Sequence, residues 1–243
     1  MGERVRHIEG TKHPSRDLAV RHTDVSLIQE PWTYKGQVLG IELKGGSLVY
    51  GESEQGPRAC IFINRKHTAL KLHQFCTRDL AVASIKIPIG ETKADIIIGS
   101  AYLPYEDTTV PTEEVIRLVE HCKVNDLPLI VGCDANAHHI VWGSSDINRR
   151  GSALLEYLST TGLEILNEGS KPTFVTSRRQ EVIDITLGSR RIAQEIRRLG
   201  SQQRGFSFRP QTDKLLVRGN NSNGTQDTYR NPKSADWLKY KKS

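Results

Sequence analysis

Residues 128–139 read Pro-Leu-Ile-Val-Gly-Cys-Asp-Ala-Asn-Ala-His-His. The run from Pro128 to Cys133 offers no polar face to solvent, which marks a strand buried on both sides. It ends abruptly in Asp134-x-Asn136, so a carboxylate and an amide stand where the chain leaves the sheet. Upstream, the period changes: Val115, Leu118, Val119 and Cys122 share one helical face, and Thr112, Glu113 and Glu114 supply a negative start, predicting a helix over Pro111 to Cys122. Downstream, Gly151 to Leu158 predicts a second helix. A helix, a doubly buried strand and another helix point to an α/β arrangement.

The flanks decide which kind. Short apolar, β-branched runs at Val25–Ile28, Val38–Leu43, Ser47–Tyr50, Arg58–Ile63, Ala69–Leu72 and Val82–Ile87 predict consecutive strands. Asp95–Tyr102, the most apolar, is the natural central one. Glu164–Leu166, Thr173–Thr176 and Val182–Leu187 return to strand character after the second helix. Runs of strands interrupted by helix, strand, helix describe an α/β sandwich of two packed sheets flanked by helices, not a doubly wound sheet. The pattern fails after about Ile196, and residues 200–243 are expected to form an irregular or disordered tail to a domain spanning 1–199. No internal repeat is visible.

With 243 residues, 37% hydrophobic and 26% charged, the chain is long enough for one well-buried core. No apolar run approaches the roughly 20 residues of a membrane span, and Met1 to Lys12 lacks the hydrophobic stretch of a signal peptide. The expected setting is soluble and intracellular, without a membrane partner. Cys60, Cys76, Cys122 and Cys133 lie far apart, without zinc-site spacing, and read as buried free thiols. The net charge of +6 is concentrated in Arg149-Arg150, Arg178-Arg179, Arg190-Arg191, Arg197-Arg198 and Lys239 to Lys242. Such pairs suit a polyanion, although they equally describe a solvated surface.

Polar residues follow directly on the strongest strands. Leu27-Ile28 runs into Gln29-Glu30-Pro31-Trp32, Ile98 into Ser100-Ala101-Tyr102-Leu103-Pro104, and Val182-Ile183 into Asp184-Ile185-Thr186. In layered α/β folds strand ends cluster at one rim, where carboxylates can converge on a hard cation. Singly, each has a plainer explanation: Glu30 precedes a proline turn, and Asp134 and Asn136 can cap a turn. Asp184 sits between two isoleucines and there needs a partner.

Together these words, with Trp-Gly-Ser at Trp142 and Arg-Gly at Arg150, resemble the apurinic-type endonuclease domain of non-LTR retrotransposons, a branch of the endonuclease/exonuclease/phosphatase family, from about His22 to Ser189. The resemblance implies a DNase I-like, four-layer α/β sandwich and divalent-metal-dependent cleavage of DNA that leaves a 3′-hydroxyl to prime reverse transcription. Glu30 matches the family's ligand for Mg²⁺ or Mn²⁺. Tyr102 matches a phenol beside the scissile phosphate, Asp134 and Asn136 the pair that positions water and phosphate, and Asp184 the acid that orients a catalytic histidine. Trp32, His138, His139, Trp142, Arg149, Arg150 and Thr186 are expected on the DNA-facing side. The implied partner is target-site duplex, with element RNA a second candidate, and action on chromosomal DNA implies a nuclear location.

Two parts of the pattern are missing. The family begins with a strand ending in an asparagine, and Met1 to Ser15 has neither; Asn64 and Asn148 stand in other contexts. The family ends in Ser-Asp-His and an apolar strand, yet no Asp-His dipeptide occurs in this chain, and His138 and His139 belong to a different motif. Residues 206–214 can be written in codons, chosen among the degenerate ones, that read one base later give Ser-Leu-Ser-Asp-His-Arg-Gln-Ile, and the hypothesis is that a frameshift removed the motif; the gene sequence around Phe206 tests it. The expectation is a domain missing its first strand and its last, which nicks DNA poorly or not at all. A non-catalytic nucleic-acid-binding remnant and a phosphatase of small phosphoesters are the competing functions; steep salt-dependent binding without cleavage, and a substrate panel, discriminate them.

Overall fold

The computed structural model describes residues 24–41, 45–89, 92–167, 172–175, 177, 179–201, 207–211 and 214–218. The strands are β1 (Val25–Gln29), β2 (Thr33–Tyr34), β3 (Gln37–Val38), β4 (Gly46–Val49), β5 (Ala59–Asn64), β6 (Ala69–Lys71), β7 (Leu80–Ile89) and β8 (Thr92–Tyr102). Helix α1 (Glu113–Val124), β9 (Leu129–Asp134), helix α2 (Arg149–Thr161), β10 (Leu163–Ile165), β11 (Phe174–Val175), β12 (Gln180–Glu181), β13 (Asp184–Ser189), helix α3 (Arg190–Ser201), β14 (Ser207–Gln211) and β15 (Lys214–Arg218) follow.

Two sheets carry the fold. One has the order β14-β15-β1-β5-β4, the other β10-β13-β9-β8-β7-β6. All pairings are antiparallel except β8 with β9. That parallel pair exists because α1 forms the crossover between the two strands.

Alternation along each strand sorts the side chains. Ile96 and Ile98 of β8 and Ile130 of β9 meet Val25, Leu27, Ile61 and Ile63 of the other sheet, forming the layer between sheets. Their neighbours Ile97, Ala101, Val131, Cys133, Ile185 and Leu187 point the opposite way, against Leu118 of α1 and Leu154 of α2. Burying both faces makes β8 and β9 continuous apolar runs. The expected α/β sandwich is therefore observed. Among the described residues, the outer face of the five-stranded sheet, with Ile28, Cys60 and Phe62, is covered by Val38, Ile41, Leu48 and Tyr50. The fourth, helical layer is not among them.

Local chemistry fixes the helix ends. Glu113 and Glu114 open α1, and His121 and Lys123 close it, matching the helix dipole. Asn148 caps α2, its side-chain oxygen accepting from Gly151 N at 2.7 Å. A Cβ on Gly151 would lie 1.8 Å from His138 O, so only glycine lets the helix start against that loop.

Four expectations are corrected. Of the expected strand at Val38–Leu43 only Val38 falls in a strand, at the end of β3, and 42–44 lie outside the described residues. β13 begins at Asp184, two residues late: Ile183 still accepts from Ala135 N at 2.9 Å, but its own N–H turns to Thr173 Oγ1 at 3.0 Å instead of to the neighbouring strand. α3 was not expected as a helix. The irregular reading of 200–243 gives way at 207–211 and 214–218, where β14 and β15 pair antiparallel and Leu215 and Val217 are the register partners of Leu27 and Val25. The remainder of that tail, and Met1 to Ser15, where the family's first strand is expected to be absent, lie outside the described residues.

Candidate functional site

β8 and β9 end together. Tyr102 is the register partner of Asp134, and Asp134 is in turn the partner of Asp184 at the start of β13. Three polar side chains thus form one row across three adjacent strands. The same alternation that aims Ile96 and Ile98 at the other sheet carries Tyr102 to that side, so the row stands at the rim of the inter-sheet layer.

The other sheet delivers Glu30 to this rim. Gln29, the last residue of β1, is buried and donates from Nε2 to Ser100 Oγ at 2.9 Å and to Gly132 O at 3.0 Å. Ser100 Oγ donates back to Ile28 O at 2.9 Å. These bonds lock the end of β1 against β8 and β9, and Glu30 follows directly. Glu30 N donates to Arg58 O at 2.8 Å.

The electrostatics of Tyr102 record the convergence. Burial, first, and then the charges of Glu30 and Asp134 raise its phenol above the ordinary value, while Asn136 and Arg58 pull the other way. Arg58 lies over the Tyr102 ring at 4.6 Å. Both oxygens of Asp79 take its guanidinium, one at 2.6 Å, and Glu106 takes a third donor at 3.1 Å. Asp79 chiefly, opposed by burial, raises the guanidinium above its usual range.

Backbone strain falls on the same residues. Glu30 (φ 47°) and Asn136 (φ 45°) both adopt the left-handed conformation. Such a conformation costs on the order of 1 kcal/mol or more for a residue like Glu and persists where the surroundings impose it. Asn136 is held by its N–H on Asp134 Oδ1 at 3.2 Å and by Nδ2 donating to Leu103 O at 3.1 Å. Neither Arg58 nor the strain was foreseen; an arginine opening the apolar run Arg58–Ile63 was the available signal.

The outer residues divide. Trp32 is half exposed (49%), and Arg149 is exposed on the first turn of α2. His139, Trp142 and Thr186 do not reach the surface as expected. Trp142 is 2% exposed, its indole donating to Ala137 O, and His139 caps the short 3₁₀ turn Ile140–Trp142 by accepting from Val141 N, its ring 5.2 Å from that of Trp142. Thr186 is 4% exposed within β13. Turn closure and strand alternation bury them.

Arg150 is likewise turned inward. Its guanidinium donates to the carbonyls of Asn136, Asp107 and Leu103 at 3.1, 2.6 and 3.2 Å, with longer bonds to Tyr105 and Ala135. It ties the loop after β8 to the loop after β9, and burial lowers its affinity for its proton. His138 turns toward Asp146, Nδ1 to Oδ1 at 2.7 Å.

Glu30, Asp134 and Asp184 supply, from neighbouring strand ends, the carboxylate oxygens that a hard divalent cation takes. Such a set can also position water and a phosphate.

Residues 96–207 match the family model described as endonuclease-reverse transcriptase. The chain is 32% identical over 114 residues to a probable RNA-directed DNA polymerase from transposon BS of Drosophila melanogaster, which covers 46% of this chain and 12% of that protein. It thus spans about an eighth of this curated relative. Among solved structures, the endonuclease domain of TRAS1, a telomere-specific non-LTR retrotransposon, superposes with a TM-score of 0.62 at 21% identity, over 87% of this chain and 95% of that one. AP endonuclease LMAP from Leishmania major gives 0.52 at 11% (72% and 74%), and the catalytic domain of Xenopus laevis APE2 gives 0.51 at 12% (74% and 77%). At these identities the likeness establishes the fold.

Proposed function

We propose that this chain is a retrotransposon-type endonuclease domain of the endonuclease/exonuclease/phosphatase family, that its rim binds duplex DNA and a divalent cation, and that its hydrolytic activity is impaired; the match of residues 96–207 and the shared fold support the reading. The observation that carries the reading is the row Tyr102–Asp134–Asp184 with Glu30 brought beside it by Gln29.

Glu30 would hold the cation, Mg²⁺ or Mn²⁺, which when bound polarises the phosphoryl group. Tyr102 offers its hydroxyl to a non-bridging oxygen, and burial keeps that proton in place at neutral pH. Asn136, fixed by Asp134 and Leu103, orients the phosphate, while Asp134 accepts a proton from the attacking water. The products would be a 5′-phosphate and a 3′-hydroxyl.

The impairment follows from the absence of any Asp-His pair. The family resemblance gives Asp184 the role of orienting that histidine, and loss of a general acid/base reduces rates on the order of 10² to 10⁴. The sequence has Arg209 and Pro210 at the positions where the shifted frame would read Asp and His. This observation favours a second reading, a nucleic-acid-binding remnant that holds DNA without cutting it. Chromosomal DNA as substrate would place either version in the nucleus.

Nicking of supercoiled plasmid in Mg²⁺ or Mn²⁺, with duplex binding followed by anisotropy, tests this. The expected result is salt-sensitive binding with residual nicking removed by Asp134→Ala. Robust nicking abolished by the same substitution would refute the impairment, and absence of both binding and nicking would refute the whole reading.

A further inference from the structure

Away from the row, three segments meet at a second cluster. His138 comes from the loop after β9, Asp146 from the turn before α2, and Glu181 from β12, and one ligand atom of each lies within 4.8 Å of the other two. Glu181 is 1% exposed, an unusual place for a carboxylate.

The cluster sets two carboxylates around one imidazole. His138 Nδ1 reaches Asp146 Oδ1 at 2.7 Å, so a single N–H serves one carboxylate while the second stands close by. Arg179 reaches Asp146 from outside, on Oδ2 at 3.2 Å, leaving Oδ1 turned inward. A dication at the inner vertex neutralises both carboxylates and takes the imidazole nitrogen in place of its proton.

The surroundings resemble the outer support of a metal site. Ser145 donates its N–H to Glu181 Oε2 at 2.8 Å and its hydroxyl to Oε1 at 2.6 Å, fixing the carboxylate while leaving lone pairs on each oxygen. His138 is held by its backbone: its N–H donates to Asn148 Oδ1 and its carbonyl accepts from Asn148 N, both at 3.1 Å. The ligand-bearing segments are thus positioned independently of any ion.

We infer that His138, Asp146 and Glu181 form a Zn²⁺ site, separate from the Glu30 rim, which clips the loop after β9 to the β11–β12 hairpin. One nitrogen and two oxygens suit a borderline cation, and the imidazole disfavours Mg²⁺. Three protein ligands leave the remaining coordination to water.

Titration of the metal-free full chain with Co²⁺, followed by visible d–d absorption and then by displacement with Zn²⁺ in excess Mg²⁺, tests the site. One equivalent is expected, lost in His138→Ala and Asp146→Asn but kept in Glu30→Gln, with Zn²⁺ raising the Tm of the native chain and not of Asp146→Asn. Asp146 is partly exposed, so its conservative variant keeps the fold if His138→Ala does not. No Co²⁺ spectrum, or one unchanged in both His138→Ala and Asp146→Asn, overturns the proposal. A spectrum lost only in Glu30→Gln overturns it too, while assigning the ion to the rim.

Discussion

Asp134 faces Asp184 across the β9–β13 ladder, and the neighbouring bond from Ala135 N to Ile183 O, 2.9 Å, makes theirs the narrow, non-hydrogen-bonded kind of pair. Two carboxylates therefore start from backbones that approach closely, and the amide of Asp184 points away from β9. Beyond the short β10, side chains continue the ladder on that side: Thr173 Oγ1 accepts from Ile183 N and Asp184 N, each at 3.0 Å, and Asn167 Oδ1 accepts from Thr186 N at 2.7 Å.

Thr173→Val keeps the shape and removes the acceptor of two amides. Stability is expected to fall by about 1–3 kcal/mol, the range for a lost buried hydrogen bond that strands its partner. Urea unfolding of the two chains measures it.

The tryptophans should separate cleanly. Trp142→Ala removes a core side chain and its bond to Ala137 O, costing about 3–5 kcal/mol. Trp32→Ala alters a half-exposed ring and should shift denaturant midpoints little. Intrinsic fluorescence during unfolding reads both, and equal effects would contradict the buried placement of Trp142.

How much of this was legible depends on where burial is decided. The strands of the six-stranded sheet were readable because β8 and β9 are buried on both faces, leaving long runs such as Asp95–Tyr102 that admit one interpretation. The row was readable too, since each of its acids follows such a run. Helix α3 was missed because its inward residues, Ile192, Ala193 and Ile196, span little more than one turn among arginines. The β14–β15 pair was missed because Pro210 and flanking polar residues oppose a strand, and its pairing to β1 is long-range. His139, Trp142 and Arg150 were assigned to the surface because a loop's inward side is set by its closure, here the 3₁₀ turn and the carbonyls that Arg150 gathers.

The adjacent arginines make opposite predictions. Arg150→Ala strands several loop carbonyls and should destabilise the fold by more than 1 kcal/mol, with Arg150→Lys failing to rescue because an ammonium lacks the planar fork. Arg149→Ala should leave stability unchanged, weaken DNA binding across sequences and reduce the salt slope by about 1. Thermal unfolding with anisotropy at several salt concentrations distinguishes the two.

Alkaline stability should report on Cys133. Burial chiefly, then Asp134 and Asp184, push its thiol from 9.0 up to about 12. The folded chain holds this proton more tightly than the unfolded one, so the stabilisation is complete below pH 9 and declines as pH rises toward 12. Tm measured from pH 8 upward should fall more steeply for the native chain than for Cys133→Ala.

The convergence of the rim is tested most directly by titrating the Tyr102 phenol, using labelled tyrosine and NMR, in the native chain, Glu30→Gln and Asp134→Asn. Tyr102 should titrate above 10, each substitution should bring it down, and saturating Mg²⁺ should lower it in the native chain. A phenol at the ordinary value, unmoved by either substitution or by the cation, would contradict a shared site for Glu30, Tyr102 and Asp134.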